Sequence, residues 1–524
     1  MRSTPPTGIV TVIGGALLCT LAGSPDVRAQ AGVGQPVPSA AEPASHAAIA
    51  PTPFAQSLAL RTDRIVADPA HPAVAWLAQS SPVAHTSHGP LQLTMTLRTA
   101  AAVVVKELGE TLILGGNLAD RPFPISINVQ GVPDGDYRYR AELRDGDTVL
   151  ERFDVPVTLV TGLDEQQPGI ERRLARIQGH DSAKASIRYP FDLARVINSG
   201  KRVFGSNNSN PEFGLSQAGE PTHYDFAAGL KKSAALLAVL ERGKDPVWRG
   251  GGETVRHYYM READEILPYH VFVPSTWNGK STLPLVFILH GNSRDQDFYF
   301  DRDGRIIPRT AEKHGYMVVA PLGYAPNAGY NYVPYGRPAG GPRGMAGARI
   351  TAQEFGPAAA GGAQGTATGR GGRTGFGGVN GSVTPALVRS EWSEQDAMHV
   401  LALIKEEYPI DPQRTFLFGY SAGGQGAHYL GPKFAESWAA IAIGGSNVTP
   451  SGPYPFERLA KTPMMIFVGA NDNPNVAPSR AMVQALQQNG VSAVLKEYPG
   501  ASHDSAPSAA TADIFDFFDA HPRR

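Results

Sequence analysis

Cysteine is nearly absent: the 524 residues hold one, Cys19. It lies in the apolar run GIVTVIGGALLCTLAG, from Gly8 to Gly23, which follows the basic Arg2. Val27-Arg28-Ala29 then puts small residues at the −3 and −1 positions of a cleavage site after Ala29. This pattern predicts a cleaved export signal over residues 1–29, and the run is short for a membrane-spanning helix. The mature chain would carry no cysteine, which excludes disulfides and a thiol nucleophile. Export without disulfides fits a bacterial periplasm or the medium, with no membrane span after cleavage. An excess of either charge is also missing: 47 Lys and Arg stand against 48 Asp and Glu. Bulk charge therefore gives no ground for a nucleic-acid partner. There is no glycine-rich phosphate loop, dinucleotide fingerprint or other cofactor motif, so no cofactor is expected. No metal is expected either: HTSH at His85–His88 has no carboxylate nearby.

What is present changes along the chain. Residues 30–88 begin rich in Ala, Pro, Gly and Ser and read as a linker, with 54–88 ambiguous. Residues 89–162 show short alternating runs such as LQLTMTLR and FPISINV. They are broken by Pro133-Asp134-Gly135 and Asp145-Gly146-Asp147, which read as turns rather than calcium loops. A small β-sandwich-like domain is expected there. Residues 163–252 carry helical periodicity. From 253 to 524, continuous apolar strands (LPLVFILH, YMVVAP, TFLFG, PMMIFVG) alternate with helical segments. The rhythm predicts an α/β domain, a mostly parallel sheet with helices on both faces. Ser393 and Asp396 have the spacing of a capping box and predict a helix from Ser393 to Tyr408. Gly336–Gly381 is glycine-rich without hydrophobic period and reads as a mobile insertion, a lid or a passive loop.

The chemistry centres on TFLFGYSAGG. Gly-x-Ser-x-Gly between an apolar strand and a helix is the pattern of a nucleophile elbow, with Ser421 held at the sheet edge. Gly419 and Gly423 would let the backbone turn without collision, and the helix beginning at Ala422 would aim its free N–H groups at the same spot. A serine hydroxyl needs a base and the base an orienting acid, in the order Ser, acid, His along this kind of fold. His503, in YPGASHDS after a strand, is the candidate base, and His521 lies in a tail. Asp472, directly after PMMIFVGAN, is the candidate acid, with Asp504 as competitor. An oxyanion needs two donors. Ala422 N–H is one, and Asn292, after Gly291 and the strand LPLVFILH, is the other. His290 reads as a structural residue shaping that loop.

PYHVFVP, LPLVFILHGN, YPIDPQRTFLFGYSAGG, GANDNPNVAPSRAMVQAL and EYPGASHDS together resemble the α/β-hydrolase superfamily. They resemble more narrowly the secreted esterases related to polyhydroxybutyrate depolymerases and feruloyl esterases, with kinship to prolyl-oligopeptidase-like hydrolases. The resemblance spans roughly residues 253–524. It implies Ser421, Asp472 and His503 as a triad, Asn292 and Ala422 at an oxyanion hole, and ester hydrolysis through an acyl-enzyme. Many relatives carry methionine or asparagine where this chain has Ala422; a backbone N–H serves equally. Tyr324 and Tyr332, at the carboxyl end of a strand, are expected either to line a substrate pocket or to pack within their loop. A small-molecule or polymer-linked ester is the expected substrate. A serine peptidase and an inert binding or scaffold protein are the competing readings.

Overall fold

The computed structural model describes residues 58–79, 90–99, 101–113, 123–199, 224–247, 250–292, 294–324, 329–332, 390–449 and 453–523. The expected signal segment 1–29, His85–His88 and the insertion 336–381 lie outside the described residues.

Strands begin earlier than the composition predicts. β1 (Leu58–Thr62), β2 (Val66–Ala67) and β3 (Val74–Gln79) occupy part of the segment read as linker. That boundary is corrected: the strands are short, and β3 finds a partner in β6 (Phe123–Ser126), far along the chain. Short strands with distant partners leave little periodicity to read. β4 (Leu91–Thr99), β5 (Val104–Ile113), β7 (Gly135–Asp145) and β8 (Thr148–Leu159) complete the set. The sheets have the orders β1-β3-β6 and β2-β8-β7-β4-β5. In β4 every second side chain is buried, the period-two signature of a strand with one face on a core. Leu60, Leu77 and Ile125 of the smaller sheet share one apolar cluster with Leu93, Tyr139 and Val157 of the larger. The Asp134 carboxylate accepts the Thr161 N–H at 2.8 Å.

Helices Leu163–Leu174, Asp181–Asn198 and Phe226–Leu240 follow and share their own apolar cluster. Asp181–Asn198 packs on β9 (Gly252–Met260) and β10 (Glu265–Val273), the antiparallel edge of the main sheet.

The main sheet continues through β11 (Leu283–Leu289), β12 (Met317–Pro321), β13 (Ile410–Tyr420), β14 (Ile441–Gly444), β15 (Met464–Gly469) and β16 (Ala493–Tyr498). Its order is β16-β15-β14-β13-β11-β12-β10-β9, parallel from β12 through β16. Alternation along β11 serves two cores. Leu285, Phe287 and Leu289 share one apolar cluster with Val400, Leu401 and Leu430 on one face. Val286 and Ile288 meet Ile307, Ala311, Phe515 and Phe518 on the other. Burial on both faces makes the strand read as an unbroken apolar run, each large side chain stabilising the fold by about 1.5–3 kcal/mol. This sheet, flanked by helices and carrying an elbow after β13, is the α/β-hydrolase fold.

The helix read as starting at Ser393 spans Ser390–Glu407. Ser393 and Asp396 are therefore not a cap. Both are fully buried, where Ser393 Oγ accepts the Tyr330 N–H at 3.0 Å and Asp396 accepts the Tyr258 hydroxyl at 2.7 Å.

Candidate active site

The strand β13 lies between β11 and β14, and its last six residues are buried. Ser421 follows at φ 58°, ψ −120°, a conformation that costs an L-residue roughly 1–3 kcal/mol and persists only where the surroundings enforce it. The enforcement is visible in the flanking glycines. A Cβ on Gly419 would sit 2.2 Å from the Gly423 carbonyl oxygen, and one on Gly423 would sit 2.1 Å from that of Leu289. Ser421 N–H is held by the Gly444 carbonyl at 3.0 Å. The helix Ala422–Lys433 starts at once, so Ala422 N–H is among the leading groups that find no acceptor within their own helix.

Loops after the neighbouring parallel strands converge on this serine. Ser421 Oγ donates to His503 Nε2 at 3.0 Å, and His503 Nδ1–H donates to Asp472 Oδ2 at 2.7 Å. The His503 side chain is 40% exposed and that of Asp472 only 4%, so the imidazole is reachable while the carboxylate is shielded. Asp472, not Asp504, faces the imidazole. His521 lies at the end of the last helix, its ring bound to the Phe517 carbonyl.

Two contacts at this trio were not anticipated from the sequence. Tyr420 hydroxyl donates to the His503 carbonyl at 2.6 Å, and burial raises the pKa of this phenol. Asn475 donates its side-chain N–H groups to both oxygens of Asp472, at 2.9 and 3.0 Å. Asn475 lies three residues after Asp472 at the start of the helix Asn473–Gln488. That i,i+3 spacing was the available signal.

The loop after β11 brings the other backbone. A Cβ on Gly291 would come 3.3 Å from Ser421 Cβ, which places the Gly291-Asn292 backbone beside the nucleophile. His290 is structural: its Nδ1 lies 2.8 Å from the Gly291 carbonyl and its Nε2 faces the Leu322 carbonyl. Burial lowers its pKa, against the pull of those carbonyls. His290 N–H donates to the buried Tyr330 hydroxyl at 3.0 Å. Further along the loop, Asp297 bonds His270. Burial and the neighbouring Asp297 raise the Asp295 pKa to about 6.

Tyr324 and Tyr332, expected either to line a substrate pocket or to pack within their loop, are both buried. Both belong to the main apolar cluster. Tyr324 hydroxyl donates to Glu265 at 3.0 Å, and its N–H donates to Asp396 at 2.6 Å. Burial pushes the Tyr332 phenol pKa up to about 12. A cavity of about 990 Å³ lies elsewhere, between the helix Asp181–Asn198 and the β9 edge, lined by Arg188, Asp192, Arg256 and Glu407 among others. None of the triad residues reaches it.

Among known proteins, the family model described as Dienelactone hydrolase family matches residues 381–512, a span holding Ser421, Asp472 and His503. The match places that segment with carboxylic ester hydrolases of the α/β-hydrolase fold. No curated protein matches the chain. A thermostable esterase of solved structure is 20% identical over 52% of this chain and 63% of its own, with a TM-score of 0.36. A fluorophosphonate-binding serine hydrolase of Staphylococcus aureus is 14% identical over 51% of this chain and 98% of its own, at 0.35. A ferulic acid esterase of Anaeromyces mucronatus, solved with ferulic acid, is 15% identical over 53% of this chain and 93% of its own, at 0.34.

Proposed function

We propose that this α/β-hydrolase is an exported serine esterase that cleaves carboxylic esters through an acyl-enzyme. The observation that carries the reading is the continuous hydrogen-bond path from Ser421 Oγ through His503 to Asp472, built on a strained elbow. In the first half-reaction Ser421 Oγ attacks the ester carbonyl carbon while His503 Nε2 takes its proton. The resulting oxyanion accepts the N–H groups of Ala422 and Asn292, and Asp472 stabilises the imidazolium. His503 then protonates the departing alkoxide. Water, deprotonated by the same imidazole, releases the acid and restores Ser421. Export rests on the signal pattern of residues 1–29, which favours a periplasmic or extracellular site.

Ester over peptide follows from the leaving group and the surroundings. An amine must be protonated to depart, and its amide must be held along an extended chain. A propeller gate of the prolyl-oligopeptidase kind needs repeated four-stranded blades. The described residues before β9 form instead sheets of three and five strands and three helices. The test compares kcat/KM for p-nitrophenyl esters of short, long and feruloyl acyl groups with peptide p-nitroanilides. Ser421→Ala is the control, expected to lower kcat by about 10⁴-fold or more while remaining folded. Efficient anilide cleavage with feeble ester turnover would assign a peptidase. Near-normal activity in folded Ser421→Ala would remove the nucleophile assignment, and no turnover by the wild type would favour an inert binding protein.

A further inference from the structure

We propose that Asn475 is a positioning residue that fixes the Asp472 carboxylate and thereby holds His503 oriented as base. The inference rests on the reading of Ser421, His503 and Asp472 as a triad.

Asp472 stands at the N-cap of the helix Asn473–Gln488 yet makes no side-chain cap bond. An aspartate there ordinarily accepts the N–H of the second or third helical residue. Here the N–H groups of Asn475 and Val476 go to the Asp472 backbone carbonyl, at 2.9 and 3.2 Å. The carboxylate is thereby free to turn toward His503. It is also buried, and a buried carboxylate needs more donors than one imidazole N–H supplies. Asn475 supplies them from the third helical position, its Nδ2 within 3.0 Å of each Asp472 oxygen. Only the NH₂ end can face the acid, because the amide oxygen would set one acceptor against another. Asn475 Nδ2 also lies 3.3 Å from His503 Nδ1, so the amide fills the angle between acid and base. Asn475 is itself buried, so water does not replace it readily.

Two consequences follow. The amide blocks rotation of the carboxylate away from the imidazole, which keeps the His503 tautomer with Nε2 free to accept the serine proton. It also draws negative charge away from Asp472, so the pull on the imidazolium is moderated. The other groups around the imidazole belong to different elements. Tyr420 lies with its ring 5.1 Å away, Asp504 is next in the chain, and Arg302 binds the Asp504 carbonyl. Substituting Asn475 leaves all three in place.

The experiment uses the full-length protein and two variants. Asn475→Leu keeps the volume and removes the donors. Asn475→Asp keeps the shape and donates only while protonated. Wild type and Ser421→Ala are first treated with a fluorophosphonate probe, and absence of Ser421 labelling in the wild type would defeat the triad reading separately. With labelling established, Asn475→Leu is expected to lower kcat by about 10- to 100-fold, part of the ~10²–10⁴ that a general base contributes. Its KM should stay within about twofold, and the acid limb of kcat/KM should move to higher pH. Asn475→Asp should lose activity relative to wild type progressively as pH rises from about 5 to 8, when its own carboxyl ionises against Asp472. A residue that only supports the fold would lower the melting temperature without either pH signature. Wild-type kcat and an unmoved acid limb in Asn475→Leu would overturn the proposal. If that variant does not fold, a pH-independent activity ratio for Asn475→Asp overturns it alone.

Discussion

The elbow makes a quantitative demand that one methyl group can test. In Gly423→Ala the new Cβ would lie 2.1 Å from the Leu289 carbonyl oxygen and 2.6 Å from that of His290. The first distance is about 1.3 Å short of ordinary contact, which begins at 3.4 Å. Both obstacles are backbone, so no side-chain rotation relieves them. Either the end of β11 or the first turn of the helix Ala422–Lys433 must move by about 1 Å. Overpacking of this kind costs roughly 1–3 kcal/mol. Catalysis should suffer more than stability, because the two segments that must part carry Ala422 and Asn292, the two proposed oxyanion donors. A displacement near 1 Å at a reacting centre costs about 10²-fold in rate. The expected result is a folded protein, its melting temperature lowered by several degrees, with kcat on a p-nitrophenyl ester down about 100-fold or more. Circular dichroism melting and steady-state kinetics on one preparation give both numbers. Wild-type kcat in Gly423→Ala would refute the close approach between β11 and the nucleophile helix, and with it the placement of Asn292 beside Ser421.

Other perturbations address separate contacts. Tyr420→Phe removes the hydroxyl that holds the His503 carbonyl; stability should fall by about 1 kcal/mol and kcat several-fold, read by denaturant titration and ester kinetics. Asp295→Asn tests a pH effect. The folded-state pKa of Asp295 is raised from 3.8 to about 6, so its contribution to stability is fully present below about pH 4 and is lost as pH rises through about 6. Asparagine escapes that loss and keeps an oxygen for the Asp297 N–H, which the carboxylate accepts at 3.0 Å. The variant should therefore melt higher than wild type at pH 8 and no higher at pH 4, and equal melting temperatures at pH 8 would contradict the burial of a charged Asp295.

Much of the catalytic region was legible because its signals are local or repeat along the chain. Buried parallel strands such as β11 and β15 read as apolar runs, and the helices between them keep a helical period. The elbow is a five-residue pattern whose glycines are demanded by contacts of 2.1 and 2.2 Å. Ser421, Asp472 and His503 stand in the loops after β13, β15 and β16 of one sheet, where parallel topology brings loop ends together. What stayed hidden depends on partners distant in sequence. β1 and β3 carry too few residues to establish a period, and β3 pairs with β6 across a long stretch of chain. Tyr324 stands in the right loop, but its orientation follows from Glu265 and Asp396, which lie 59 and 72 residues away.

The misread capping box shows the same limit more sharply, and it reaches the reaction centre. Ser393 and Asp396 have the spacing of a cap, but the helix starts three residues earlier, at Ser390, and carries both side chains into the interior. Buried polar groups must be paired, and these pair with the loop that follows β12. Asp396 holds the Tyr324 N–H, and Ser393 holds the Tyr330 N–H. Tyr330, at φ 55°, then accepts the His290 N–H, one residue before Gly291. A pattern that looks like helix punctuation is the far end of a hydrogen-bonded path to the Gly291-Asn292 loop beside Ser421. Local propensity could not reveal it, because a serine and an aspartate at this spacing satisfy a helix terminus and a buried network equally well; the partner 63 residues away decides between them.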